Sequence, residues 1–157
     1  MSEGEIEEKV LKLLLDNGLC VSFVESCTGG MLASSLINVS GASGAIEQSF
    51  VTYSDKAKHK LAYVKKSTLK KYGAVSAETA KEMACGGARR AKSDLCVSVT
   101  GVAGPGLEEG KPVGLVYIGL FYRGKVKAVE CHFEGDRRQI REAAVQKALC
   151  LIMDELS

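Results

Sequence analysis

Two short apolar runs constrain the fold of this chain most. CVSFVE, residues 20–25, and LCVSVTG, residues 95–101, are each too short for a helix and each break off into a glycine-bearing loop. ESCTGG follows the first, and TGVAGPG closes the second. Amphipathic helical patterns alternate with these runs. Residues 3–16 carry Ile6, Val10, Leu13 and Leu14 at helical spacing, with Asn17-Gly18 as a stop. Residues 31–39 predict a short helix beginning near Thr28, and IEQSFVTYS, 46–54, predicts a second strand. DKAKHKLAYV and STLKKYG read as short helices. Ser76 reads as the N-cap of a helix of about 15 residues that turns Ala80, Met83, Ala84, Gly87, Ala88 and Ala91 inward.

VGLVYIGLFY and KVKAVECHF flank Arg123-Gly124, a tight-turn pair, and predict an antiparallel hairpin. Asp136, with Gln139 three residues on, opens the last helix as a capping box. The order helix, strand, helix, strand, helices, strand, hairpin, helix argues for α/β layers around a mixed sheet. At 157 residues, with no repeat or linker, a single domain over 1–157 is expected.

Composition excludes several functions. The formal net charge is +2, the chain has no Trp, and Lys65, Lys66, Lys70 and Lys71 form the one basic cluster, so no nucleic-acid partner is expected. No run approaches the ~20 apolar residues that span a bilayer, and the acidic start MSEGEIEEKV shows no signal peptide, so a cytoplasmic protein without a membrane partner is expected. The six cysteines are scattered and the two histidines fall at no ligand spacing, so neither a metal nor another cofactor is expected. Five of the cysteines sit in apolar runs as small core hydrophobes; Cys27 belongs to the loop instead.

Glycine loops at the carboxyl ends of strands are where α/β proteins place ligands. Where ESCTGG runs into a helix, free backbone N–H groups favour an anion or a developing oxyanion, and Gly29 and Gly30 allow close approach. The plain structural alternative makes Ser26 or Thr28 an N-cap and the glycines a tight turn. The motifs G-x-S-x-G and S-x-x-K are both absent, so a base for Ser26 must come from elsewhere. In YSDKAKHK, Tyr53 and Lys58 are the candidates, provided the two strands run parallel and Lys58 loses its charge by desolvation. By composition, Lys56, Lys58 and Lys60 read instead as one solvated helix face. Arg137 and Arg138 occupy the first turn of the last helix, where the dipole disfavours cations; an anionic ligand or a partner's carboxylate would offset that cost, and the plain alternative is exposed arginines tolerated by solvent.

Taken in order, ESCTGG, SFVTYSDKAK, YGAVSAETA, VSVTGVAGPG, KPVGLVYIGL and EGDRRQIRE resemble the nicotinamide-nucleotide amidase family, the C-terminal domain of the competence/damage-inducible CinA proteins. The resemblance covers about residues 6–155. It implies a three-layer α/β/α sandwich with a mixed sheet, and hydrolysis of the carboxamide of nicotinamide mononucleotide to nicotinate mononucleotide and ammonia. It further implies Ser26 as nucleophile, Lys58 as its base and Tyr53 as an accessory hydroxyl. Thr100 and Arg137 fall on substrate-site positions; Thr28, Gly29 and Gly30 would line the oxyanion side. The loop bearing Gly101 and Gly104, or Arg137, would hold the phosphate.

The resemblance also implies self-association and a standalone form without the additional domain of the larger CinA proteins. The family usually carries Asn where this chain has Asp55, whose charge is expected to raise the lysine's pKa, and the loop GPGLEEGKP is short beside the family's version. Two other readings stand beside the enzyme: a pyridine-nucleotide-binding or regulatory module of the same fold, and Cys27 as the nucleophile.

Overall fold

The computed structural model describes residues 4–157. Five strands form one mixed sheet in the order β2-β1-β3-β4-β5. Strand β1 (Val21–Glu25) lies parallel to both β2 (Phe50–Val51) and β3 (Leu95–Gly101). Strands β4 (Leu115–Tyr122) and β5 (Lys125–His132) then run antiparallel. Every residue of β1 and β3 is buried, which explains why both read as continuous apolar runs rather than alternating ones.

Helices cover both faces, giving the expected three-layer α/β/α architecture. On one face, α1 (Glu5–Asp16), α2 (Met31–Ile37) and α6 (Arg137–Leu156) enclose the larger core around Phe23, Leu36, Val97 and Leu149. On the other, α3 (Asp55–Ala62) and α4 (Lys66–Tyr72) pack against α5 (Ala77–Ala91), whose Met83 and Ala88 meet Val24 and Cys96. Ser76 caps α5, accepting from the Thr79 N–H at 3.1 Å. Asp136 and Gln139 make the expected capping box on α6. Arg123 and Gly124 both have positive φ, as the hairpin turn between β4 and β5 requires.

Small residues on α5 let it approach its neighbours closely. A Cβ at Gly86 would stand 1.5 Å from the Ala62 carbonyl oxygen, and one at Gly87 would stand 2.3 Å from Val24 Cγ2. Gly86 thus seats α3 directly on α5. Among the described residues, no helix is long and apolar enough to cross a membrane.

Two expected boundaries differ. The strand expected over 46–54 contracts to Phe50–Val51, with an isolated bridge from Ile46 to Val21. The physical reason is local: the Phe23 N–H donates to Ser49 Oγ at 3.2 Å, so a side chain replaces a ladder partner on this edge. Helix α2 begins at Met31, after a turn through Gly29 (φ 56) and Gly30 (φ 99), rather than near Thr28. Neither Ser26 nor Thr28 caps it. Glu25 does so from the end of β1: its buried carboxylate accepts the N–H groups of Leu32 at 2.8 Å and Ala33 at 3.1 Å.

Candidate active site

Because β1, β2 and β3 are parallel, their carboxyl ends share one rim, and the chain leaves all three within a small neighbourhood. Ser26 follows β1, anchored by its N–H to the Val99 carbonyl at 2.9 Å. Thr52 follows β2, its N–H on the Glu25 carbonyl at 2.8 Å. Ser54 then caps α3, accepting from Ala57 N–H at 3.1 Å, and Lys58 falls one turn into that helix.

A helix advances about 100° per residue, so Lys58 and Ala62 share the inward face while Lys56 and Lys60 point out. The expectation that all three lysines form one solvated face therefore fails at Lys58, which is only 2% exposed. Its Nζ lies 3.0 Å from Ser26 Oγ and donates to the Thr52 carbonyl at 2.8 Å. Desolvation by burial lowers the Lys58 pKa below the ordinary 10.5; the Asp55 charge opposes this but is the smaller influence. Burial thus favours loss of the Lys58 charge beside a hydroxyl, the arrangement that a base and nucleophile pair needs.

Tyr53 and Arg137 close one side. Arg137 donates from Nη2 to the Tyr53 hydroxyl oxygen at 2.9 Å and from Nη1 to the Gly104 carbonyl at 2.6 Å. The first-turn arginine is thus satisfied within the chain by two neutral oxygens, not by an anion. Arg138 points elsewhere and donates to Glu142 at 2.8 Å. Thr100 lies across the hollow and donates its hydroxyl to the Ala74 carbonyl at 2.8 Å, leaving its oxygen lone pairs as acceptors.

Ser26, Tyr53, Lys58, Thr100, Gly101 and Arg137 line one hollow, together with Cys27, Asp55 and Glu108. Its volume is about 70 Å³, enough for roughly two waters and for a carboxamide rather than an entire mononucleotide. Of the expected substrate-side positions, Thr28, Gly29, Gly30 and Gly104 do not line it. Gly104 acts through its carbonyl on Arg137, and the glycine pair shapes the turn behind Ser26.

Within ESCTGG, the Gly29 N–H closes onto the Ser26 carbonyl at 3.1 Å and the Met31 N–H onto the Thr28 carbonyl at 3.0 Å. The Thr28 and Gly30 N–H groups make no such backbone bond among the described residues. Cys27 is buried, and desolvation pushes its thiol up to about 12, so it carries no thiolate near neutrality. Among the described residues, no group of three or more His, Cys, Asp or Glu side chains is placed to hold a metal ion.

Three contributors escaped sequence reasoning. Arg141 donates from Nε to the Cys27 carbonyl at 2.8 Å and from Nη2 to the Thr28 carbonyl at 3.1 Å, tying α6 to the turn after Ser26. Its place one turn beyond Arg137 was the available signal. Glu25 was visible only as the charge ending an apolar run. Thr52 contributes a backbone carbonyl, which no side-chain pattern reports.

A mixed α/β sandwich with a buried lysine facing a serine at its parallel rim defines the class. The chain belongs to the CinA C-terminal domain family, whose model matches residues 3–156. A relative in the competence-damage inducible group from Clostridium novyi (strain NT) is 48% identical over 158 residues, covering 99% of this chain and 38% of the relative. A CinA-like protein of Kosmotoga olearia is 48% identical over 150 residues, covering 95% of this chain and 36% of that protein. The chain therefore spans little over a third of the curated relatives it matches. Among solved structures, the CinA superfamily protein KP700603 of Klebsiella pneumoniae 700603 superposes at TM-score 0.96 with 31% identity, over 99% of this chain and 98% of its own. CihA, a competence/damage inducible protein of Agrobacterium tumefaciens, gives TM-score 0.90 and 40% identity over 98% of both chains.

Proposed function

We propose that this chain hydrolyses the carboxamide of nicotinamide mononucleotide, releasing nicotinate mononucleotide and ammonia, with Ser26 as nucleophile and Lys58 as base. The observation that carries the reading is the 3.0 Å approach of a desolvated lysine to the serine hydroxyl. A module that only binds nucleotides needs no such pair.

Mechanistically, neutral Lys58 takes the Ser26 proton as Oγ attacks the carboxamide carbon, giving a tetrahedral oxyanion and a lysine ammonium. The ammonium returns that proton to the departing nitrogen, and ammonia leaves an ester on Ser26. Water, deprotonated by the same amine, attacks the ester; the acid departs and the Ser26 hydroxyl is restored. Backbone N–H groups of the turn that begins at Cys27, which lines the hollow beside Ser26, are the candidate donors for the oxyanion. Thr100 Oγ1 accepts an N–H of the carboxamide. Tyr53, its oxygen already held by Arg137, keeps its own proton for the oxyanion or leaving nitrogen. The ribose phosphate extends out of the hollow, toward Arg137 and the loop from Gly101. In solution the proposed unit is a homo-oligomer.

Ammonia release from nicotinamide mononucleotide tests the reading. Ser26→Ala is expected to lose at least ~10³-fold in kcat/KM, while Cys27→Ala retains activity. The opposite pattern transfers the role to the thiol, and no ammonia from the wild-type chain removes the amidase reading.

A further inference from the structure

The hollow at Ser26 is not the only concavity among the described residues. A groove of about 1110 Å³ runs over the outer faces of α3 and α4 to the end of α5. Six cations line it, Lys56, Lys60, Lys65, Lys66, Lys70 and Arg89, against the single carboxylate of Asp55. That is a local excess of five positive charges in a chain whose formal net charge is +2, so the rest of the molecule is net negative. Charge is thus concentrated here, not spread for solubility.

None of the six cationic side chains joins an ion pair among the described residues, although carboxylates elsewhere on the surface pair with Lys12, Lys111, Lys127 and Arg138. The neighbouring acid, Glu82, is already committed to the Lys65 N–H at 2.8 Å and the Thr68 hydroxyl at 2.6 Å. Like charges gathered in one concavity repel, and an anion with several charges relieves the repulsion. His59 adds a seventh nitrogen centre: its Nδ1 lies 2.7 Å from the Val64 carbonyl and donates to it, which leaves Nε2 for a ligand.

We propose that this groove is a binding site for a small, multiply phosphorylated anion, distinct from the hollow at Ser26. Lysines act as point charges on phosphate and set little geometry, so the site selects on phosphate number. A nucleic acid fits less well. Tyr63, the one Phe, Tyr or Trp ring in the groove, already carries the guanidiniums of Arg89 and Arg90 at 4.5 and 4.6 Å, which limits it as a stacking platform for bases. The volume suits a nucleoside polyphosphate or an inorganic oligophosphate.

Calorimetric titration of the intact chain with tripolyphosphate, ATP and AMP at about 50 mM salt tests this. Saturable 1:1 binding is expected, with tripolyphosphate and ATP at least about tenfold tighter than AMP, and weaker binding at about 200 mM salt. ATP and tripolyphosphate binding alike assign an oligophosphate; tighter ATP assigns a nucleoside polyphosphate. The double variant Lys60→Glu with Lys66→Glu, both exposed positions, is expected to lose about tenfold or more with its melting temperature retained. Arg137→Ala and Ser26→Ala are expected to bind as wild type, whether or not the amidase reading holds.

Absence of saturable binding overturns the proposal. So does equal loss in Arg137→Ala, which places the anion in the hollow. A single-stranded oligonucleotide that binds more tightly than ATP, with affinity growing with its length, overturns it in favour of a nucleic acid.

Discussion

The Thr52 carbonyl fixes one N–H of Lys58 at 2.8 Å, and this aims the rest of the amine at Ser26, 3.0 Å away and 32 residues distant in the chain. In the proposed mechanism the amine is neutral, with two N–H bonds and one lone pair; with one N–H committed to the Thr52 carbonyl, the lone pair is free to take the serine proton. That carbonyl lies directly beyond β2, so the short strand that is hardest to read in the sequence sets where the Lys58 amine lies relative to Ser26.

That burial has a signature in stability. The Lys58 pKa is held below 10.5 in the fold, so between the lowered value and 10.5 the unfolded chain binds more protons than the native one. Stability therefore rises as pH climbs through this interval. Lys58→Met removes the slope. Urea midpoints at pH 7 and pH 10.5 should show the wild type gaining on the variant at the higher pH, while the variant loses at least ~10³-fold in turnover at both.

Asp55 raises the Lys58 pKa through space, as Glu108 and Glu109 do more weakly. Removing its charge with Asp55→Asn lets the lysine deprotonate at lower pH. The acid limb of kcat/KM is expected to move toward lower pH than in the wild type, measured by ammonia release across pH. A shift the other way means that the limb belongs to another group.

Arg141 holds the turn after Ser26 by two carbonyls on consecutive residues. Arg141→Ala frees that turn, and misplacing the nucleophile and its neighbouring amides is expected to cost about 10²-fold in kcat with KM changed much less. Arg141→Lys recovers only part, because a lysine lacks the fork that reaches both oxygens. Steady-state kinetics separates the two parameters.

Gly86 brings α3 onto α5. With the Ala62 carbonyl 1.5 Å from where a Cβ would stand, Gly86→Ala must push the helices apart. Urea denaturation is expected to show a loss of about 3 kcal/mol. Ammonia release should fall as well, because the displaced helix carries Lys58.

The fold was legible in the sequence wherever one face or run decided the outcome. The buried runs of β1 and β3, the Arg123-Gly124 turn and the Asp136 and Ser76 caps are local signals, and each element lies where its signal does. The strand expected over 46–54 was not legible, because Ser49 replaces a ladder bond with its side chain, a tertiary choice. The family's motifs single out Ser26, Tyr53, Lys58, Thr100, Gly101 and Arg137, which the fold gathers at one hollow, and also Thr28, Gly29, Gly30 and Gly104, which do not line it. Composition alone favoured a solvated Lys58, because the charge count around α3 does not report which helix face meets the sheet. The Glu25 cap, the Arg141 tie and the Thr52 carbonyl were hidden because each acts through backbone groups brought together only by folding.

The proposed amidase chemistry requires the amine at 58 to be uncharged when it meets the serine. An NMR titration of the Lys58 Nζ in the folded wild-type chain reads this directly. A titration midpoint clearly below the ordinary 10.5 is expected, at the same pH where kcat/KM for ammonia release rises. A midpoint at or above 10.5, with activity already at its plateau, contradicts it.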